Sequence, residues 1–492
     1  MSELADKVYT PAQVRELDRR AIEEHGIPGY DLMCRAGQAA FDAGLARFTN
    51  ARHWLIMCGA GNNAGDGYVI ARLAMAAGCE VTVAAVTDPL RLKGDARKAF
   101  EDFRAAGGVT QSYDPVNCPS GDLLVDAMLG TGLERDLEGP YLEAVRGANE
   151  SAKQVLAIDV PTGINSETGL VMGDAVSADL TVTFVGLKTG LFLGDGPDHC
   201  GEVLFNDIGV PAQLAADLLP GFRIYTEADF REQLPRRPRN AHKGMFGHVL
   251  VVGGNTGMGG AVRLAGEAAL RSGAGLVTVA TRAANVPVVT GGRPELMVQA
   301  VEDTGELDAL VDAASVIALG PGLGTDDWAR HCFERLAETD KPKVLDADAL
   351  NLLAGTDLRR NDWVLTPHPG EAARLLGTTT AEVQADRLGA AHELQSRYGG
   401  AVVLKGHCTL ISGAQAVPLL VREGNPGMST AGMGDVLTGI TASMLAQCRG
   451  LQLPAAAAVY AHAKAGDEAA KDGERGLTAS DVLEQLRVSV NP

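Results

Sequence analysis

The chain has 492 residues, 46% apolar and 21% charged, an ordinary globular composition and length enough for two large domains. A net charge of −19 argues against nucleic acid or anionic membranes as partners. Any anionic ligand must then be held locally, by helix starts, glycine-rich turns or single Lys and His residues. Aromatic content of 4% with 60 glycines suits an α/β protein with many tight strand-to-helix turns.

From the N-terminus, Thr10-Pro11-Ala12-Gln13 reads as N-cap, N1 proline and capping-box glutamine, predicting a helix to about residue 25. Residues 26–29 break it, and a second helix is expected over 30–48. An alternating series follows: a strand at 53–58, a glycine-rich loop at 59–67, a helix at 68–77, and strands at 81–87, 123–129, 154–160 and 180–185. Such alternation predicts a parallel sheet covered on both faces. Residues 211–239, rich in proline and arginine towards their end, read as an inter-domain connection, and the boundary is placed near residue 225, giving domains 1–225 and 226–492. The second series has strands at 248–253, 277–280, 316–319, 343–346, 363–366 and 401–405, with a glycine-rich loop at 253–260 and a helix ending near residue 271. The eight cysteines (34, 58, 79, 118, 200, 332, 408, 448) are scattered without a C-x-x-C pair and read as small, mostly buried thiols. The acidic N-terminus lacks a signal-peptide core, and no apolar run reaches membrane-spanning length, which together predict a cytoplasmic protein.

Four acids stand at strand ends or in glycine-rich loops: Asp66, Asp126, Asp159 and Asp174. Ligands of open α/β sheets bind beyond the carboxyl ends of the strands, and Asp66, Asp126 and Asp159 meet that condition. Each alone reads equally as a turn residue or cap; the set points to a shared site. The first loop is G-x-G-x-x-x-G rather than the dinucleotide G-x-G-x-x-G, so a redox Rossmann site is not indicated. Near the other end, Asn425-Pro-Gly-Met-Ser-Thr-Ala-Gly-Met-Gly-Asp-Val-Leu-Thr-Gly439 feeds an apolar helix. Unpaired N–H groups at the helix start suit a nucleotide phosphate, and Asp435 is placed to take a proton beside it. Taken alone, the segment also reads as an ordinary turn with an aspartate cap.

The motifs Asn-Asn-x-Gly-Asp-Gly (62–67), Asp-Ala-x-x-Gly-Thr-Gly (126–132), Asp-Val-Pro-Thr-Gly (159–163) and Phe184-Val-Gly-Leu-Lys-Thr-Gly190 resemble the N-terminal epimerase domain of bifunctional NAD(P)H-hydrate repair enzymes, from about residue 9 to 210. His242-Lys-Gly-Met-Phe-Gly-His, Ser272-Gly-Ala-Gly, Gly320-Pro-Gly-Leu-Gly324, Asp346-Ala-Asp348, Thr366-Pro-His-Pro-Gly-Glu371, Lys405-Gly-His-Cys-Thr409 and the Asp435 segment resemble the ribokinase-like dehydratase half of that family. The resemblance implies an α/β protein of two domains, an N-terminal Rossmann-like three-layer sandwich and a C-terminal ribokinase-like α/β domain.

It also implies roles. Asn62, Asn63, Ala64, Gly65 and Asp66, with Gly130, Thr131, Gly132, Leu133, Glu134, Arg135 and Asp136, would bind hydrated NADH or NADPH. Asp159 would be its acid/base, and Asn63, Asp126 and Thr162 would hold K⁺. In the second half Ala261, Gly322, Gly324 and His368 would line the substrate site. Lys405, Gly406, His407, Cys408, Thr409 and Gly434 would hold ADP, or ATP, with Mg²⁺, and Asp435 would be the catalytic base. Phosphorylating the C6 hydroxyl turns a poor leaving group into a good one, elimination restores the dihydropyridine, and the epimerase recovers the other C6 epimer. A homo-oligomer is implied by analogy. Cys34, Ala64, Thr162 and Met433 depart from the family's usual Glu, Gly, Ser and Thr. A ribokinase-class small-molecule kinase fused to a nucleotide-binding or scaffold domain is the competing reading; it leaves the first half unexplained.

Overall fold

The computed structural model describes residues 4–117, 119–151 and 154–491, so Cys118 lies outside it. The chain divides between Arg223 and Ile224 into two compact units. The described cysteines are free, and Cys58, Cys200, Cys332 and Cys408 are buried.

The first unit is built on a seven-stranded sheet in the order Thr110–Ser112, Glu80–Ala85, His53–Cys58, Leu123–Ala127, Val155–Ile158, Leu180–Phe184, Glu202–Asn206. Each neighbouring pair runs parallel. Period-2 alternation sends Trp54, Ile56 and Cys58 into one apolar cluster and Leu55 and Met57 into another, so both faces are covered. Strand order reverses at His53–Cys58, whose neighbours are Glu80–Ala85 on one side and Leu123–Ala127 on the other. Crevices at such a reversal are where open sheets bind ligands.

One expectation needs correction here. Residues 59–67 are not all loop: the helix after His53–Cys58 spans Asn62–Ala76 and so begins well before residue 68. Its glycines are used for packing, since a Cβ on Gly65 would collide with the Met33 side chain and one on Gly67 with Ala127 and Cys58. The Asn-Asn segment is therefore the first turn of a helix, with backbone N–H groups free of intrahelical partners.

In the second unit, strands Met297–Ala300, Leu276–Thr281, His248–Val252, Val316–Leu319, Lys343–Leu345, Trp363–Leu365 and Ala401–Leu404 lie side by side in parallel. Thr409–Ser412 and Leu419–Val421 extend the sheet antiparallel. Helix Met433–Gln447 is buried on nearly every side, as its almost unbroken small and apolar sequence requires. It crosses helix Gly259–Arg271 so closely that a methyl on Gly439 would strike the Ala265 carbonyl oxygen. Gly439→Val is expected to destabilise this unit by about 3 kcal/mol through overpacking, read as a lower midpoint in denaturant unfolding; an unchanged midpoint would contradict the packing.

Candidate active sites

In the first unit, strand Val155–Ile158 delivers Asp159, which sits in the left-handed region at φ 70°. Its N–H donates to the Val182 carbonyl at 2.8 Å, which fixes the turn. Asp159 Oδ1 accepts hydrogen bonds from Lys188 Nζ and, at 3.2 Å, from Thr183 Oγ1. The Lys188 side chain is only 2% exposed, and its ammonium also donates to Thr183 Oγ1 at 2.9 Å and the Phe184 carbonyl at 2.8 Å. Asp159 Oδ2 faces Gly130, 3.3 Å from where a Cβ would stand, so a side chain there would crowd the carboxylate.

Asp159, Phe184 and Lys188 line a cavity of about 400 Å³, together with Asp18, Asn62, Asn63, Asp66, Asp95, Gly130, Thr131 and Gly132. Burial first, then the charges of Asp159 and Asp18, pushes the Asp66 carboxyl well above the usual carboxylate range. Burial raises Asp18 as well, with Lys188 opposing the shift.

Asp126 lies at the end of strand Leu123–Ala127 and is wholly buried. Its Oδ2 accepts from Thr162 N at 2.7 Å, and its Oδ1 accepts from Thr162 Oγ1 at 2.7 Å and Met128 N at 3.2 Å. Burial pushes its carboxyl up to about 6, against the pull of those hydrogen bonds. Thr162 Oγ1 accepts from Leu129 N at 3.0 Å, which ties the Asp126 strand end to the Gly130–Gly132 turn. Asn63 Oδ1 lies 3.4 Å from the Gly130 Cβ position, and the buried Asn63 Nδ2 has no hydrogen-bond partner among the described residues. The oxygens of Asp126, Thr162 and Asn63 gathered around one turn are a donor set that fits a hard cation.

Other sequence-derived positions fall elsewhere. Ala64 and Gly65 are buried packing positions. Of the segment after Asp126, Gly130, Thr131 and Gly132 reach the cavity. Leu133 packs with Met57 and Leu137, while Glu134, Arg135 and Asp136 are exposed. Asp174 pairs with Arg146 at 3.2 Å and does not line the cavity. Cys34 lines a separate groove with Arg35 and Gln38. The sequence reading missed Lys188 and Asp18 as members of the site. Lys188 stood within a quoted motif, and Asp18 had no local signal beyond its helix.

In the second unit, Asp435 lies in the first turn of Met433–Gln447, behind an N-cap, Gly432, at φ 90°. The glycine supplies the left-handed turn and leaves the first-turn N–H groups facing outward without intrahelical partners. Strand Lys343–Leu345 ends at Asp346, which is buried. Its Oδ1 accepts from Lys405 Nζ at 2.8 Å and Thr366 Oγ1 at 2.9 Å, and its Oδ2 accepts from Thr438 Oγ1 at 2.8 Å. Lys405 Nζ also lies 3.7 Å from Glu371 Oε2, and a Cβ on Gly434 would stand 3.5 Å from both Lys405 Nζ and Asp346 Oδ2. An ammonium thus stands at the positive end of the helix, beside bare backbone donors.

Burial, then the charges of Asp346 and Asp348, pushes the Asp435 carboxyl up to about 6, with Lys405 opposing. For Lys405, burial alone would lower the ammonium, but Asp346 and Glu371 outweigh it and hold it above its ordinary value. Asp346 is raised by burial, but Lys405 and its hydrogen bonds win and hold it low.

His368 is the N-cap of helix Pro369–Leu376: its Nδ1 accepts from Gly370 N at 3.0 Å and Glu371 N at 3.3 Å. Glu371 Oε2 returns the bond by accepting from His368 N at 2.8 Å. Nδ1 acting as acceptor leaves the ring hydrogen on Nε2, which lies 3.5 Å from Glu371 Oε1 on a half-exposed side chain. Gly322, at φ 55°, has its Cβ position 3.1 Å from Ala261 Cβ, and Gly324, at φ 75°, donates to Asp348 Oδ2 at 2.7 Å. Gly406 and His407 are exposed, and Thr409 Oγ1 donates to the Gly406 carbonyl at 2.9 Å. Cys408 is buried at φ 53°, and burial pushes its thiol up to about 12, so it offers a ligand its backbone rather than a thiolate. Buried Arg387 holds this loop by donating to the Leu404 and Cys408 carbonyls. Asp346, Glu371 and Thr438 complete the site; all three stood within the motif segments, and Thr438 became meaningful only one helical turn from Asp435.

A parallel sheet whose strand ends meet a glycine-capped helix start, a half-buried lysine and a carboxylate defines a ribokinase-like α/β unit. A solved ribokinase-like superfamily protein from Enterococcus faecalis matches 55% of this chain and 96% of its own at 33% identity and a TM-score of 0.52. Residues 249–487 match the family described as NAD(P)H-hydrate dehydratase, and residues 29–190 match that described as YjeF-related protein N-terminus. The bifunctional NAD(P)H-hydrate repair enzyme Nnr of Coxiella burnetii is 48% identical over 99% of both chains. Its counterpart from Escherichia coli is 42% identical over 99% of this chain and 94% of its own. The chain belongs to the family of bifunctional NAD(P)H-hydrate repair enzymes. Among the described residues no helix is long and apolar enough to cross a membrane.

Proposed function

We propose that the first unit interconverts the C6 epimers of hydrated NADH and NADPH, and that the second returns one epimer to NAD(P)H with ADP, or alternatively ATP, as phosphoryl donor. The observation that carries the second half is Asp435, a carboxylate raised towards neutrality at the rim of a helix start that already holds an ammonium. Asp435 takes the proton of the C6 hydroxyl as that oxygen attacks the terminal phosphorus. The first-turn N–H groups around Gly434 and the Lys405 ammonium receive the charge that develops on the phosphoryl oxygens. Ala261, Gly322, Gly324 and the His368 Nε2 edge border the nicotinamide nucleotide, and the 405–409 loop borders the adenine nucleotide. Mg²⁺ carried on the nucleotide phosphates would add further charge neutralisation; among the described residues no group of three His, Cys, Asp or Glu is arranged to hold it.

In the first unit Asp159 is the acid/base, held in place by hydrogen bonds from Lys188 and Thr183. Asn63, Asp126 and Thr162 would hold K⁺, whose charge steadies the turn that receives the substrate phosphates.

The test is recovery of dihydronicotinamide absorbance from mixed NADPH-hydrate epimers with Mg²⁺, K⁺ and ADP or ATP in parallel. Complete recovery is expected. Recovery that stalls at one epimer would remove the epimerase assignment, and no recovery would remove both. Because Asp435 must be ionised, dehydration at saturating substrate should fall about tenfold per pH unit below pH about 6 and level off above it. A flat acid limb would show that another group is the base.

A further inference from the structure

We infer that Asp66 is a second catalytic carboxyl of the first unit, the proton donor to the departing C6 hydroxyl, with Asp159 as the base that activates the incoming water. This rests on the epimerase reading above and extends it, since inverting one carbon needs acid on one side of the ring and base on the other. The two carboxyls line the same cavity from different elements, Asp66 on helix Asn62–Ala76 and Asp159 after strand Val155–Ile158. Their surroundings divide the roles. Asp159 is clamped by the buried Lys188 ammonium and the Thr183 hydroxyl, a setting for an anion. Asp66 has no such ion pair among the described residues and faces the charges of Asp159 and Asp18. Two carboxyls in unlike surroundings on one cavity are a recurrent acid and base arrangement.

The step balances as follows. The Asp66 carboxyl gives its proton to the C6 oxygen. The C6–O bond breaks with both electrons leaving on water, while the N1 lone pair forms a C6=N1 iminium. A water molecule adds to C6 from the opposite face, Asp159 takes its proton, and the π pair returns to N1. One hydroxyl leaves and one enters, and one proton has moved from Asp66 to Asp159, returning through cavity water. No oxidant or further reactant is required. The charged or titratable groups facing Asp66 across the cavity are Arg15 and Asp18 on helix Pro11–Glu23, Asp95 on helix Gly94–Ala105, Asp159 and Lys188.

The experiment compares wild type with Asp66→Asn in ¹⁸O-labelled water, following both epimer ratio and label at C6, with the uncatalysed rate subtracted. Wild type should gain label in step with epimerisation. Asp66→Asn should slow epimerisation about a hundredfold or more, the usual contribution of a positioned acid, while the same chain still dehydrates the productive epimer. Independently, the wild-type epimerisation rate should decline towards alkaline pH as Asp66 ionises, and Asp18→Asn should move that limb to lower pH. Epimerisation by Asp66→Asn at the wild-type rate, or wild-type epimerisation without label, overturns the inference alone. A wild-type chain that does not epimerise overturns the parent reading and the inference with it.

Discussion

Asp435→Asn will abolish regeneration of NAD(P)H from its hydrate, lowering kcat about a thousandfold or more, while the hydrate epimers continue to interconvert. Removing a positioned general base costs on the order of 10²–10⁴ in rate, and in the proposed mechanism the carboxylate also stands beside the transferring phosphoryl. Asparagine keeps the volume and a hydrogen-bonding oxygen, so the turn at Gly432 and the tie between Thr438 and Asp346 should persist. Adenine-nucleotide affinity should therefore change little, because the backbone donors around Gly434 and the Lys405 ammonium are untouched. Steady-state kinetics of both reactions on one preparation, with nucleotide binding by calorimetry, separates these expectations. A variant that dehydrates at the wild-type rate would show that Asp435 serves only as a helix-start residue.

Asp159→Asn is expected to remove epimerisation and also to weaken the first unit. Lys188 is buried, and its charge partner in the structure is Asp159. Without that carboxylate the ammonium keeps only the Thr183 hydroxyl and the Phe184 carbonyl. Stranding one member of a buried ion pair costs about 3–5 kcal/mol. Two causes of lost activity would then be mixed. The double variant Asp159→Asn/Lys188→Met separates them, since both charges are gone: thermal unfolding should return towards wild type while epimerisation stays absent. Recovery of epimerisation in the double variant would mean that Asp159 acts only by balancing Lys188. Dehydration of the productive epimer should proceed in both variants, which provides an internal control.

The alternation of strands and helices and the order of glycine-rich turns were legible in the sequence because burial on both faces writes parallel strands as short apolar runs. Boundaries were less so. Asn62–Ala76 looked like loop at its start because Gly65 and Gly67 break helical propensity. Packing against Met33, Ala127 and Cys58 overrides that preference. The acids at strand ends could be found because Asp159 and Asp346 each follow an apolar run. Lys188 and Asp18 could not be assigned, because what makes them functional is who faces them: Lys188 has the look of a strand-end surface charge until Asp159 is seen against it. His368 is the converse case, a residue read from a motif whose ring also proves to be the cap of its own helix.

The hydrogen bonds of Asp346 reach three separate elements: Lys405 at the end of one strand, Thr366 at the end of another, and Thr438 within helix Met433–Gln447. All three bonds of this knot are made within the chain and need no ligand atom. A cradle held in this way would be preorganised for the proposed phosphoryl group, which lowers the ordering entropy that docking would otherwise cost. Amide hydrogen exchange along residues 436–440 should consequently be as slow in the empty protein as in the nucleotide-bound one. Cutting the knot with Thr438→Val should speed that exchange and make nucleotide association depend on an ordering step that the intact protein skips.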